Sequence, residues 1–233
     1  MGINLYSRQF YAEKVVIFRD RHPLVGPIFW LLSVQYFLTQ IFVAGAWSAP
    51  FSLRTNAISD LGNTDCGTFA HRLVCSPLHD WMNASFIVLG ITMVVGSFLI
   101  PSEFRKNMLS RVGFYGMALA GLGTVLVGMF PENTVGYMHV LGAALPFFVG
   151  NSTLVLFSYS LSLPPGFRYY TRASGLVALA ALAVFLYGQY FGLGLGGTER
   201  LIAYPQTIWL IAFGWYMSLD HYRQTKGHKI TYS

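Results

Sequence analysis

Four short stretches of this 233-residue chain hold most of the residues able to do chemistry. "NAISDLGNTDCG" (56–67) carries Ser59, Asp60, Asn63 and Cys66, and "SPLHDWMNAS" (76–85) carries His79, Asp80, Asn83 and Ser85. "FPENTVGYMH" (130–139) carries Glu132, Asn133 and His139, and "GGTERLIAYP" (196–205) carries Glu199, Arg200 and Tyr204. His139 is the sharpest of these. A histidine set among "VGYMHVLGAALPFF" can be a general base or a metal ligand, and an ionisable group in so apolar a segment calls for a functional reading. The same side chain could serve structure alone by hydrogen-bonding a neighbouring carboxylate. With Ser59 or Ser85 and Asp60 it would make a Ser-His-Asp hydrolase, although no nucleophile-elbow sequence is present. His71, His79, His139 and an aspartate are ligand types that suit a hydrolytic zinc centre. There is no HExxH spacing, so a divalent metal is permitted and not indicated. A bis-histidine haem would need two histidines at matched depth, and His79 precedes its helix.

Local structure offers alternatives for several of these groups. Asp80 or Ser76 can cap a helix start. The "PEN" stretch reads as a turn. Glu199 and Arg200 could form a framing ion pair with Arg54 or Asp60.

The elements that must position these residues follow from charge. The chain is 54% hydrophobic and only 10% charged, against about 25% charged in soluble domains, and its mean hydropathy is +0.50. No Asp, Glu, Lys or Arg occurs in 22–53, 81–102, 112–131, 133–167, 173–198 or 201–219. Each gap reaches or approaches the roughly 20 residues that cross a hydrocarbon core. Runs such as "FIVLGITMVVGSFLI" are continuous rather than alternating, which predicts helices and not a barrel. The reading is an all-α polytopic membrane protein, a bundle of six transmembrane helices near 26–46, 82–100, 112–130, 136–160, 173–193 and 203–219. A segment 1–25 precedes this domain of 26–219, and a tail 220–233 follows it.

Basic residues set the orientation. Arg8, Lys14, Arg19, Arg21, Arg105, Lys106, Arg111, Arg168, Arg172, Arg223, Lys226 and Lys229 fall on one side, and only Arg54, Arg72 and Arg200 on the other. Both termini are therefore expected in the cytoplasm, with the protein in the plasma membrane. The net charge of +6 then reports topology, and no nucleic-acid partner is implied. Residues 1–21 hold no long apolar core, so no cleavable signal is expected; "YSRQFYAEKVVIF" could lie along the membrane surface. The four stretches all come to the outer side. Asn151 lies about 18 Å further along its helix than His139, so Asn83 and Asn151 need not share one site.

The loop 47–81 is the longest connection and holds both cysteines, Cys66 and Cys75. Outside the cell a disulfide between them is allowed; the alternative is two free thiols. Glycines at 113, 116, 121, 123 and 128 are read as close helix packing in lipid, not as a nucleotide loop.

"ISDLGNT", "SPLHDWMNASFIVLG", "VGMFPENTVGYMHVLGAALPFFVGN" and "GGTERLIAYP" together resemble the bacterial and archaeal membrane family called domain of unknown function 998, over roughly 26–219. The resemblance implies about six helices and marks Ser59, Asp60, Gly62, Asn63, His79, Asn83, Ser85, Pro131, Glu132, Asn133, His139, Gly150, Asn151, Glu199, Arg200 and Tyr204, without an activity. "ISD-x-G" alone also resembles a eukaryotic family of autophagy modulators and GPI-lipid-remodelling proteins, which points towards lipid. The resulting expectation is a polar pocket at the outer leaflet that binds or acts on a membrane lipid by hydrolysis or acyl transfer. His139 would act there as base or metal ligand, oriented by Asp60 or Glu132, with His79 beside them. Ser59, Asn63, Asn83, Asn133, Asn151, Glu199, Arg200 and Tyr204 would bind substrate, Arg200 through an anionic headgroup. The rival expectations are a small transporter or lipid-flipping factor, and a non-enzymatic scaffold that holds a partner protein through loop 47–81.

Overall fold

The computed structural model describes residues 5–230, with side chains over 13–226; the ends of segments 1–25 and 220–233 lie outside the described residues. Helix α1 (Leu5–Arg21) is followed by α2 (Val25–Leu31), α3 (Val34–Gly45), α4 (His79–Leu99), α5 (Met108–Met129), α6 (Gly136–Ala144), α7 (Asn151–Ser160), α8 (Pro165–Tyr187) and α9 (Gly194–Ile230). Five segments among the described residues are long and apolar enough to span a membrane: Val25–Gly45, His79–Leu99, Met108–Met129, Gly136–Ser160 and Pro165–Tyr187. The sixth expected span, 203–219, lies within α9. Large apolar side chains cover the outside of the bundle, among them Leu38, Ile41, Val140, Leu186 and Trp215. In water such a surface would be untenable. The chain is a multi-pass membrane protein.

Several boundaries differ from the sequence reading, each for a physical reason. The first span is two helices, because i→i−3 bonds from Ser33 N to Trp30 O and Tyr36 N to Ser33 O tighten the chain between them. The expected helix 136–160 is interrupted by a π-helical segment, Leu145–Gly150, where Pro146 has no N–H to give. Asn151 Nδ2 donates to Phe147 O and to Ile202 O there, at 2.9 and 3.0 Å, which satisfies backbone that lipid could not. Helix α8 starts eight residues before the expected 173 because Pro165 sits in its first turn, and it ends at left-handed Gly188. "GGTERLIAYP", expected as a connection, forms the first turns of α9.

Close packing is carried by glycine. A Cβ on Gly90 of α4 would strike the carbonyl of Gly121 on α5, and one on Gly121 would strike that of Gly90. Gly123 and Gly142 do the same between α5 and α6. The half of the bundle nearest connection 100–107 is filled by aromatics. Phe114–Phe157, Phe157–Trp209 and Trp209–Phe213 ring centroids lie 4.8, 5.3 and 4.8 Å apart, with Trp30 5.7 Å from Trp209. The opposite half is closed by loop 47–78.

Because backbone cannot retreat from an added side chain, Gly90→Val is expected to cost about 3 kcal/mol through overpacking. A melt of the purified protein in detergent measures this. Unchanged stability would mean that α4 and α5 are not in backbone contact.

Candidate functional site

The loop folds back on the bundle through its acidic residue. Asp60 starts as the second residue of a 3-10 turn, Ser59–Gly62, and its side chain is fully buried. Arg72 grips it with Nη2–Oδ1 at 2.6 Å and Nε–Oδ2 at 3.0 Å. Asn56 Nδ2 and the amide of Ala57 donate to Oδ2 at 3.1 and 2.9 Å. Arg72 belongs to a small antiparallel hairpin, β1 (Gly67–Phe69) with β2 (Arg72–Val74). The Cys66–Cys75 disulfide joins the two ends of that hairpin.

Glu132, from the turn before α6, places Oε1 3.8 Å from Arg72 Nη2, and this oxygen is buried without a hydrogen-bond partner. One guanidinium cannot hold two buried carboxylates in the charged form. Burial alone would raise Asp60, but the Arg72 guanidinium, with help from Glu132 and Asn56, outweighs it and holds Asp60 below the usual carboxylate range. Burial and the neighbouring Asp60 push Glu132 up to about 9. At neutral pH Glu132 is a carboxylic acid.

Ser59 lies between two other partners. Its Oγ is 3.1 Å from His139 Nε2 and 3.1 Å from Glu199 Oε1. The other ring nitrogen of His139, Nδ1, is 2.9 Å from the carbonyl of Phe130. A carbonyl only accepts, so Nδ1 carries hydrogen, and Nε2 of the neutral ring is the acceptor for a serine hydroxyl. The hydroxyl has one proton, so it donates to His139 or to Glu199 at any moment. Glu199 Oε2 also accepts from the Ile58 amide at 2.5 Å, which ties the residue before Ser59 to α9.

These groups form the polar end of a cavity of about 480 Å³. Ser59, Arg72, Glu132, His139 and Glu199 stand at that end, and Phe147, Phe148, Leu182, Phe185 and Leu186 line the rest. Val140, Phe148 and Leu186 are exposed on the lipid-facing flank, so the cavity opens sideways between α6 and α8. A second space of about 50 Å³ lies on the other side of Ser59 and Glu199, bounded by Tyr36, Thr124, Gln206 and Thr207 among others.

The remaining expected site residues have other positions. Asp60 does not touch His139, because its oxygens are taken by Arg72 and the loop; the group orienting the imidazole is the Phe130 carbonyl. His79 stands apart, with Nδ1 2.9 Å from Ser76 O and Nε2 3.4 Å from Asp80, and it lines neither cavity. Asn83 donates to Gly62 O at 2.9 Å, and Asn133 bonds Thr64 and Asp65 at 3.0 and 3.1 Å; both fasten the loop to the bundle. Asn63 is buried with its amide oxygen unpaired. Asn151 serves the π-helical break, and Ser85 pairs with Gln35 at 2.7 Å. Tyr204 donates to Gln40 at 2.8 Å. Arg200 donates to the carbonyls of Leu53, Asn56 and Gly196 and lines neither of these cavities. The arginine in the larger cavity is Arg72, which the sequence marks only as one of three outer-side basic residues. Its place between two cysteines nine positions apart is the available signal. Among the described residues no group of three or more His, Cys, Asp or Glu side chains is gathered to hold a metal.

The family model described as "Protein of unknown function (DUF998)" matches residues 31–216, and the chain belongs to that family. No curated protein and no solved structure matches it.

The proton held by Glu132 makes stability depend on pH. An unfolded Glu132 titrates near 4.5 and the folded one near 9. Between those values the folded state holds the extra proton, so raising pH favours unfolding. Asp60 acts in the opposite sense and only in acid, its contribution being lost as pH falls through its depressed value. The melting temperature is expected to fall from neutrality towards about pH 9, and Glu132→Gln to remove most of that fall. An equal fall in the variant would show that Glu132 is already ionised at neutral pH.

Proposed function

We propose that this member of the DUF998 family is a six-span plasma-membrane protein with cytoplasmic termini that binds an acyl lipid and hydrolyses it. The observation that carries the reading is Ser59 Oγ 3.1 Å from a histidine nitrogen whose tautomer is set from behind, at the polar end of an apolar cavity open to lipid. Ser59 attacks the acyl carbonyl, and His139 Nε2 takes its proton and returns it to the leaving group. Glu132, neutral and facing the same cavity, donates to the carbonyl oxygen as negative charge develops there. A carboxylic acid kept protonated in an apolar site is suited to that task. Glu199 holds Ser59 and Ile58 in place. Asp60 and Arg72 carry the loop on which Ser59 is mounted. The smaller space behind Ser59, lined mostly by apolar side chains, is large enough for a few waters; a water then attacks the acyl–Ser59 ester, and His139 takes its proton and returns it to Ser59 Oγ, which frees the acid and completes hydrolysis.

A transporter or flipping factor finds some support in the two broken spans. The aromatic stack of Trp30, Phe114, Phe157, Trp209 and Phe213 packs the core of the other half of the bundle, however, which argues against passage through it. A scaffold would have no enclosed space beneath its loop; residues 53–55 and 64–68 are exposed, but Asn56, Ala57, Ile58, Asp60, Leu61, Gly62 and Asn63 are buried and a cavity lies under them.

Ester lipids of increasing chain length, offered to the reconstituted protein, test the reading. Ser59→Ala and His139→Gln are each expected to lower turnover by roughly a thousandfold while the melting temperature stays near that of the wild type. Turnover that survives both substitutions, or variants that simply unfold, would remove the catalytic assignment.

A further inference from the structure

Arg200 is unaccounted for by the chemistry at Ser59. It is 7% exposed, and its Nη1 donates to Leu53 O, Asn56 O and Gly196 O at 3.1, 2.7 and 2.9 Å. Those partners are neutral dipoles. Nε is buried with no partner, and among the described residues no carboxylate forms an ion pair with this guanidinium within 4.0 Å. Glu199, next in the chain, turns its carboxylate to Ile58 and Ser59 instead. A buried cation without a close counter-charge is costly; Glu199 attracts this one only from beyond 4.0 Å, with Tyr204 and the Phe51 ring beside it.

Arg200 also lines a groove between α8 and α9 of about 470 Å³. Its walls are chiefly Ala173, Val177, Leu201, Tyr204, Pro205 and Ile208, with Arg200 as the charged residue of the lining. Val177 and Ile208 are 50% and 46% exposed, so the groove faces the bilayer. It shares no lining residue with the Ser59 cavity.

We infer that this groove is a second lipid site, taking one acyl chain of an anionic phospholipid whose phosphate lies on Arg200. The apolar length selects a hydrocarbon chain, and a guanidinium with no carboxylate within 4.0 Å selects a net negative headgroup. A zwitterionic lipid brings its own cation to the phosphate and neutralises Arg200 poorly. Charge-assisted bonds from arginine to phosphate are short and strong. The bound lipid would brace the loop, because the same guanidinium anchors Leu53 and Asn56. This inference does not depend on catalysis at Ser59.

Native mass spectrometry of the full chain in detergent, titrated with phosphatidylglycerol or phosphatidylcholine, tests it. One phosphatidylglycerol should be retained about tenfold or more tightly than phosphatidylcholine, and inorganic phosphate should not displace it. Arg200→Gln should abolish the preference. Since that change also releases the loop, Val177→Trp is the second variant: it fills the groove from the lipid side, leaves Arg200 in place and should lose the retained lipid. Equal retention of the two lipids, displacement by inorganic phosphate, or full retention in Val177→Trp would each overturn the site.

Discussion

The arrangement at the loop-covered end depends on one buried ion pair, the two-point contact of Arg72 with Asp60 at 2.6 and 3.0 Å. A polar loop over an apolar bundle is stable only if its charges cancel and its donors and acceptors are used. Asp60 meets both conditions by taking a guanidinium, an asparagine amide and a backbone amide at once. The pair then dictates its surroundings. It leaves Glu132 beside an already balanced charge, which keeps that carboxyl protonated, and it fixes the turn that carries Ser59. The disulfide acts on the same pair by holding the hairpin that bears Arg72.

Around this pair the loop is stitched to separate helices rather than to one. Asn83 of α4 takes Gly62, Glu199 of α9 takes Ile58, and Arg200 of α9 takes Leu53 and Asn56. Gly196 lets the loop backbone approach α9 closely, since a Cβ there would strike Asn56 O. The roof over the bundle is therefore bonded on several sides. The cavity opens where such bonds give way to apolar side chains, on the flank between α6 and α8. Polar chemistry at a firmly held end and a lateral opening to hydrocarbon together favour a substrate that arrives from the bilayer.

Much of this was readable from residue order. Charge-free gaps gave the helices because a hydrocarbon core admits few charges, and the four polar stretches do assemble at one end. Ser59, Glu132, His139 and Glu199 were singled out from them and line one cavity. The pairings were less accessible. Asp60 was expected beside His139, but a carboxylate bonds whichever donor the fold brings nearest, and that was Arg72 on a hairpin too short to be recognised by alternation. The Phe130 carbonyl that sets the His139 tautomer has no sequence signature, since every residue offers the same atom. Arg200 looked like a headgroup ligand of the main site and instead points to a different face of α9, because "GGTERLIAYP" is helical and successive residues diverge around the axis. The π-helical break was foreshadowed only by Pro146.

The proposed role of Ser59, a nucleophile activated by His139 beside the cavity, is open to direct chemical test. A long-chain alkyl fluorophosphonate, which reacts with activated serines, addresses it directly when the modified residue is mapped by peptide mass spectrometry. Modification is expected at Ser59 in the wild-type protein, with labelling strongly slowed by His139→Gln at unchanged melting temperature. Labelling at another serine, or equal labelling of Ser59 with and without His139, would contradict it.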